Sequence, residues 1–149
     1  MRERDQDFGE KAVSHFEEGT NWAVSVFRSL SEMVDADGTV DSSIATGFGG
    51  GLGANGLVCG AVAAGTMIIG LQQKGKEKKE VYQHVDTFLS AFRAHFGALN
   101  CRELLGVDLK TEEGMNYLKT EGREKCREFV RYVADNLGEI LKPLSNHKS

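Results

Sequence analysis

The sequence predicts an all-α fold, on three observations. A single proline, Pro143, occurs in 149 residues, and proline is the residue helix interiors tolerate least. Apolar residues recur at three- and four-residue steps along most of the chain, the period of one helix face. The 32 residues from Ser42 to Gln73 carry no charge, although the chain holds 22 acidic and 18 basic residues. A segment that excludes charge for so long is buried almost completely. The expected architecture is a compact multi-helix bundle forming one domain over residues 1–149. At its centre is an apolar helix at about 55–73, preceded by a glycine-rich loop. A chain of this length buries a proper core without staples.

Taken in order, a short first helix over Gly9 to Glu18 presents Ala12, Val13 and Phe16. Thr20 or Asn21 then supplies an N-cap. Behind it Ala23, Phe27, Leu30 and Val34 form one face, which Trp22, Val26 and Met33 widen. Asp35-Ala36-Asp37-Gly38 reads as a turn. The glycines from Gly47 to Gly56 would each cost a helix about 1 kcal/mol relative to Ala, so the central helix is expected to start near Asn55. Its small residues Gly60, Ala61, Ala64 and Gly65 allow close backbone approach. A charged linker at 74–79 leads to a helix with Val81, Val85, Phe88, Phe92 and Phe96 on one face. A short helix at Asn100 to Leu105 follows. The last helix, about Thr120 to Lys142, aligns Cys126, Val130, Val133, Leu137 and Ile140.

Composition excludes several functions. A net charge of −4 gives no electrostatic footprint for nucleic acid. The apolar stretch from Leu57 to Leu71 is about 22 Å of helix at ~1.5 Å per residue, short of the ~20 residues a bilayer requires. The N-terminus has no apolar stretch after its arginines, so it does not read as a secretory signal. Three cysteines, an odd number, cannot complete an intramolecular disulfide framework, which points to a reducing cytoplasm. Gly51-Leu52-Gly53-Ala54-Asn55-Gly56 spells GxGxxG but lacks a preceding buried strand. What it retains is a backbone anion site at a helix start, with Gly51, Gly53 and Gly60 as cofactor-binding candidates. Aligning Gly38 with the invariant glycine of an EF-hand puts Met33 and Ile44 where oxygen ligands are required, so no calcium loop is present.

Chemistry is left to Cys59, Cys101 and Cys126, which are too far apart in sequence for a local clamp. Cys126 on its own reads as a small buried hydrophobe. Asn100-Cys101-Arg102-Glu103 has the form of a capping box, placing Cys101 first in a helix where the macrodipole favours thiolate. Cys59, a few residues into the central helix, gains from the same effect. Cys59 and Cys101 are accordingly the catalytic candidates. Among the histidines, His84 and His95 are about 16 Å apart on one helix and cannot share a metal. His95 is the one closest in sequence to a thiol, while His15 and His147 read as surface residues.

Ala45-Thr46-Gly47-Phe48-Gly49-Gly50-Gly51-Leu52-Gly53, then Val58-Cys59-Gly60-Ala61, and downstream Cys101-Arg102-Glu103-Leu104-Leu105-Gly106 with Cys126, resemble the redox-active proteins named for the C-GCAxxG-C-C pattern. That family is similar to a domain of split-Soret cytochromes. The resemblance implies redox chemistry, with Cys59, Cys101 and Cys126 as metal ligands and an iron–sulfur cluster or another metal as cofactor. Trp22 stands where the family has its first cysteine, and Ala64 where it has a glycine. Three cysteines cannot complete a four-thiolate cluster, and the absence of CxxCH excludes covalent c-type haem. Three readings follow: a redox or metal-binding protein with clustered cysteines, a helical scaffold that has lost its cofactor, and a thiol–disulfide switch pairing Cys59 with Cys101. Expected partners are a redox protein and, because the central helix and the phenylalanine face leave surplus apolar surface, a second copy in a homodimer.

Overall fold

A computed structural model describes residues 8–17, 20–35 and 38–146, of which 16–17 and 141–146 are described by backbone alone. Among these residues eight helical segments form: α1 (Phe8–Glu17), α2 (Trp22–Val34), α3 (Gly49–Leu52, a single turn in which Gly50, Gly51 and Leu52 hold left-handed φ), α4 (Gly60–Gln72), α5 (Lys78–Phe96), α6 (Cys101–Leu105), α7 (Glu112–Lys119) and α8 (Glu121–Asn146). A 3₁₀ segment, Ser42–Phe48, precedes α3. The fold is all-α, as the sequence predicts.

Helices α2, α4 and α8 pack against one another as the core. Asn21 is the N-cap of α2, its side-chain oxygen accepting the Val24 N–H at 3.0 Å. The stripe behind that cap is buried as expected at Ala23, Phe27 and Leu30, with Val26 beside it. Helix α4 is buried on most of its circumference, at Ala61, Val62, Ala63, Ala64, Ile68 and Ile69. Each large core side chain removed from water in this way is worth about 1.5–3 kcal/mol. Gly65 makes room for the Phe88 ring: a Cβ there would lie 2.8 Å from its tip and 3.0 Å from both Leu137 and Val133. Phe92 packs on Phe129 with centroids 6.0 Å apart, and Phe96 on the same ring at 4.9 Å. The small-residue strip and the phenylalanine face, offered by the sequence as surplus surface for a second copy, are therefore used within one chain.

Helix α1 packs on both α2 and α8. Its Gly9 N–H donates to Oδ1 of Asp135 at 2.7 Å across 126 residues of sequence. The Phe8 ring lies over Gly138 so closely that any Cβ there would overlap it.

Several expectations need correction. The central helix begins at Gly60 rather than near Asn55. Gly53, Ala54 and Gly56 hold left-handed φ of 61°, 69° and 76°, a conformation a right-handed helix cannot include. The glycine segment instead folds back on itself, with Gly53 N–H donating to Gly47 O at 2.9 Å, Gly56 to Gly50 at 3.1 Å and Leu57 to Gly51 at 3.0 Å. Its first part is 3₁₀ rather than loop, and α7 lies in a stretch with no predicted element. Asp35 does end α2 in a turn, its carboxylate accepting Thr39 Oγ1 at 2.9 Å and Val40 N–H at 2.8 Å. Asp37, His147 and the Phe16 side chain fall outside the described structure. No described helix is long and apolar enough to cross a membrane.

Candidate functional site

A cavity of about 50 Å³ opens where the ends of α2, α4 and α6 meet α8, and all three cysteines line it. Three elements bring them there. Cys59 is the residue before α4, Cys101 is the first residue of α6, and Cys126 sits one and a half turns into α8. The 41 residues between the first two are closed by a single antiparallel bridge, Val58 to Asn100. Cys59 N–H donates to Leu99 O at 2.9 Å, and Cys101 N–H to Leu57 O at 2.7 Å. Side chains alternate across an extended pair, so Cys59 and Cys101 fall on the same side of this bridge as diagonal neighbours. All three thiols are free and buried.

The rest of the wall is apolar, with Leu104, Leu105, Leu109, Leu118, Phe129 and Val130 facing the thiols. A space so lined is dry. Trp22, the first residue of α2, also lines it. The side chain expected to replace a family cysteine therefore faces the remaining three.

Burial reverses the electrostatics that the sequence suggests. Desolvation raises the Cys59 pKa from an ordinary 9.0 to about 11. The N–H groups of Val62 and Ala61 pull it down by less, and the neighbouring Cys101 adds to the rise. Cys101 is raised by desolvation as well. Cys126 is pushed higher still by burial, with Cys59 and Cys101 reinforcing it. At neutral pH all three are thiols, not the primed thiolates that helix ends would favour. The helix ends are weak here for visible reasons. Helix α6 has only five residues and no side-chain hydrogen bond from Asn100, so the capping box is not made. Its leading N–H groups are taken by glycine-segment carbonyls, Arg102 N–H donating to Gly56 O at 3.0 Å.

Of the three glycines expected to bind a cofactor, Gly60 lines the cysteine cavity and Gly53 lines a neighbouring groove. Gly51 is buried, with φ of 73°, and a Cβ there would lie 2.8 Å from Cys101 Cβ and 2.6 Å from Leu57 N. Its role is close approach: it lets the glycine segment pack on α6. The N–H groups of Gly53, Ala54, Gly56 and Leu57 are spent on the segment's own carbonyls, which removes them as donors to an anion.

The histidines are elsewhere. His95 stacks on Tyr132 with centroids 4.6 Å apart, and His84 lines a separate pocket. His15 is half-buried rather than a surface residue. Among the described residues no group of three or more His, Cys, Asp or Glu is arranged to hold a metal ion. The three cysteines share the cavity wall and are not such a group.

What the sequence reading misses is the groove itself, about 410 Å³, on the far side of Trp22 and Gly50. It shares Trp22, Gly50, Leu109 and Leu118 with the cysteine cavity and carries Lys119 and Arg123. Trp22 and Gly50 belong to the pattern the sequence offers, but no motif marks Leu109, Leu118, Lys119 or Arg123. The one available signal was Thr111 ahead of Glu112 and Glu113, an N-cap followed by first-turn acids, which would have revealed α7.

Residues 20–140 match a family model described as "Putative redox-active protein (C_GCAxxG_C_C)". No curated protein and no solved structure matches the chain.

Proposed function

The chain belongs to the C_GCAxxG_C_C family, and on that premise we propose a redox protein whose working groups are Cys59, Cys101 and Cys126 acting as thiols. The observation that carries this reading is that cysteines from three separate elements line one small apolar cavity. Cys59 and Cys101 are the exchanging pair. Two thiols lose two protons and two electrons as one S–S bond forms, and a partner disulfide accepts the electrons to become two thiols. Diagonal neighbours across a bridge have Cα atoms about 7–8 Å apart, and a disulfide closes within about 7 Å. The bridge must shift by about 1 Å for the bond to form, so formation is coupled to loosening of the glycine segment. Three free cysteines suit a reducing, cytoplasmic setting.

The test is equilibration of the folded protein over a series of glutathione redox poises, followed by alkylation in denaturant and mass spectrometry. The expected result is loss of two alkylatable thiols with a Cys59–Cys101 crosslinked peptide. Three alkylatable thiols at the most oxidising poise would reject it. Stoichiometric iron or zinc after anaerobic purification, lost in Cys59→Ser, would replace it with the metal or iron–sulfur reading, which needs the three sulfurs drawn together. Trp22 favours a second reading, a scaffold without redox chemistry, since its ring occupies space that a cluster would need. An aromatic ring of this size buries over ~150 Å². That reading requires neither crosslink nor metal.

A further inference from the structure

The groove beside the cavity points to a substrate class, and this inference rests on the thiol chemistry proposed above. We infer that the groove docks a low-molecular-mass disulfide bearing carboxylates, held by Lys119 and Arg123 with its sulfurs toward the Trp22–Gly50 wall of the cysteine cavity.

Four observations carry it. The groove's volume of about 410 Å³ lies within the range of small-molecule sites, roughly 300–1,000 Å³. Among the described residues its charged lining is Lys119 and Arg123, in a chain whose net charge is −4. Ala54, Met115 and Leu118 supply apolar surface for methylene arms between carboxylate and sulfur. The partition from the thiols is thin. Gly50 lines both spaces with φ of 64°, and a Cβ on it would already touch Ala54 and Leu109 at 3.4 Å. The next residue, Gly51, abuts Cys101 Cβ. A chain carrying two carboxylates and a central S–S bond matches this combination of cations, apolar lining and a wall shared with the cysteine cavity.

The reaction balances without any further reagent. Cys101, having released its proton to solvent, attacks one sulfur of the disulfide RSSR. That S–S bond breaks, and RS⁻ leaves and takes up a proton as RSH. Cys59 then loses its proton and displaces the second sulfur from the mixed disulfide, closing Cys59–Cys101 and releasing another RSH. Two electrons pass from the protein to the small disulfide.

The experiment separates docking from chemistry. 3,3′-Thiodipropionate, a thioether that cannot exchange, is titrated into the wild-type protein and followed by amide NMR. Shifts are expected at residues 49–54 and 115–123, with affinity falling about tenfold in Lys119→Glu/Arg123→Glu through loss of charge-assisted contacts. Lys119→Glu alone, at an exposed position, gives a partial loss and guards against misfolding of the double variant. Absence of binding, or binding unchanged by charge reversal, overturns the docking site and leaves the thiol reading to its own test. In the second arm, 3,3′-dithiodipropionate is expected to oxidise the cysteines faster than cationic cystamine does, and the charge-reversed variant to lose that preference. Thioether binding with no oxidation by dithiodipropionate overturns the substrate assignment, while the thiol chemistry stands or falls on the glutathione equilibration.

Discussion

Cys59 is 7% exposed, and that burial makes its proton a stability determinant. Its folded pKa of about 11 lies above the ordinary 9.0. Between those values the unfolded chain has released the proton while the folded chain still holds it. Stability is therefore complete below pH 9 and falls as pH rises toward 11. Two pKa units correspond to roughly 3 kcal/mol. The urea midpoint of wild type is expected to drop more steeply between pH 8.5 and 10.5 than that of Cys59→Ala, and parallel curves would show that this thiol contributes nothing. The same residue marks the limit of reading the site from sequence. That Cys59, Cys101 and Cys126 deserve attention follows from their type, their positions at helix starts and the resemblance. That burial outweighs the helix ends does not, because desolvation depends on Leu104 and Leu105 of α6, Leu118 of α7, and Phe129 and Val130 of α8, which only the fold brings around the thiols.

Two glycines show how a helix's neighbours set its tolerance. At Gly65 on α4 an added methyl meets side-chain tips, Phe88, Leu137 and Val133, which can shift. Better helix propensity returns about 1 kcal/mol against an overpacking cost of ~1–3 kcal/mol. At Gly114, in the first turn of α7, the methyl overlaps the Asp108 carbonyl, a backbone atom that cannot move alone. Gly114→Ala is expected to lower stability by about 3 kcal/mol or more, against about 1 kcal/mol for Gly65→Ala. Equal urea midpoints for the two variants would refute the distinction. Helices α2, α5 and α8 were legible because each repeats apolar residues over three or more turns. Helix α7 was not: EEGMNYLK offers Met115, Tyr117 and Leu118 within two turns and a glycine in the first. The start of α4 was misplaced because left-handed φ at Gly53, Ala54 and Gly56 is a choice of backbone that composition permits but does not announce.

Across the whole molecule, stability is unevenly shared. Helices α2, α4 and α8 enclose the core, whereas α5 spans 19 residues and buries only Phe88 and Phe92, both in its second half. Native-state hydrogen exchange is expected to find the amides of residues 82–86 opening at a free energy well below the global value, which those of 62–69 should approach. A common opening energy for both sets would contradict this. The clasp between Gly9 and Asp135 has a consequence of another kind, set by the order of synthesis. The acceptor for the Gly9 amide, in the first turn of α1, is made 126 residues after the donor. At ~5–20 residues per second, a nascent chain carries α1 for about 6–25 s before Asp135 and the α8 half of its docking surface are made. Helix α1 can thus meet α2 almost as soon as both are made, while its clasp to Asp135 is deferred until α8 has left the ribosome.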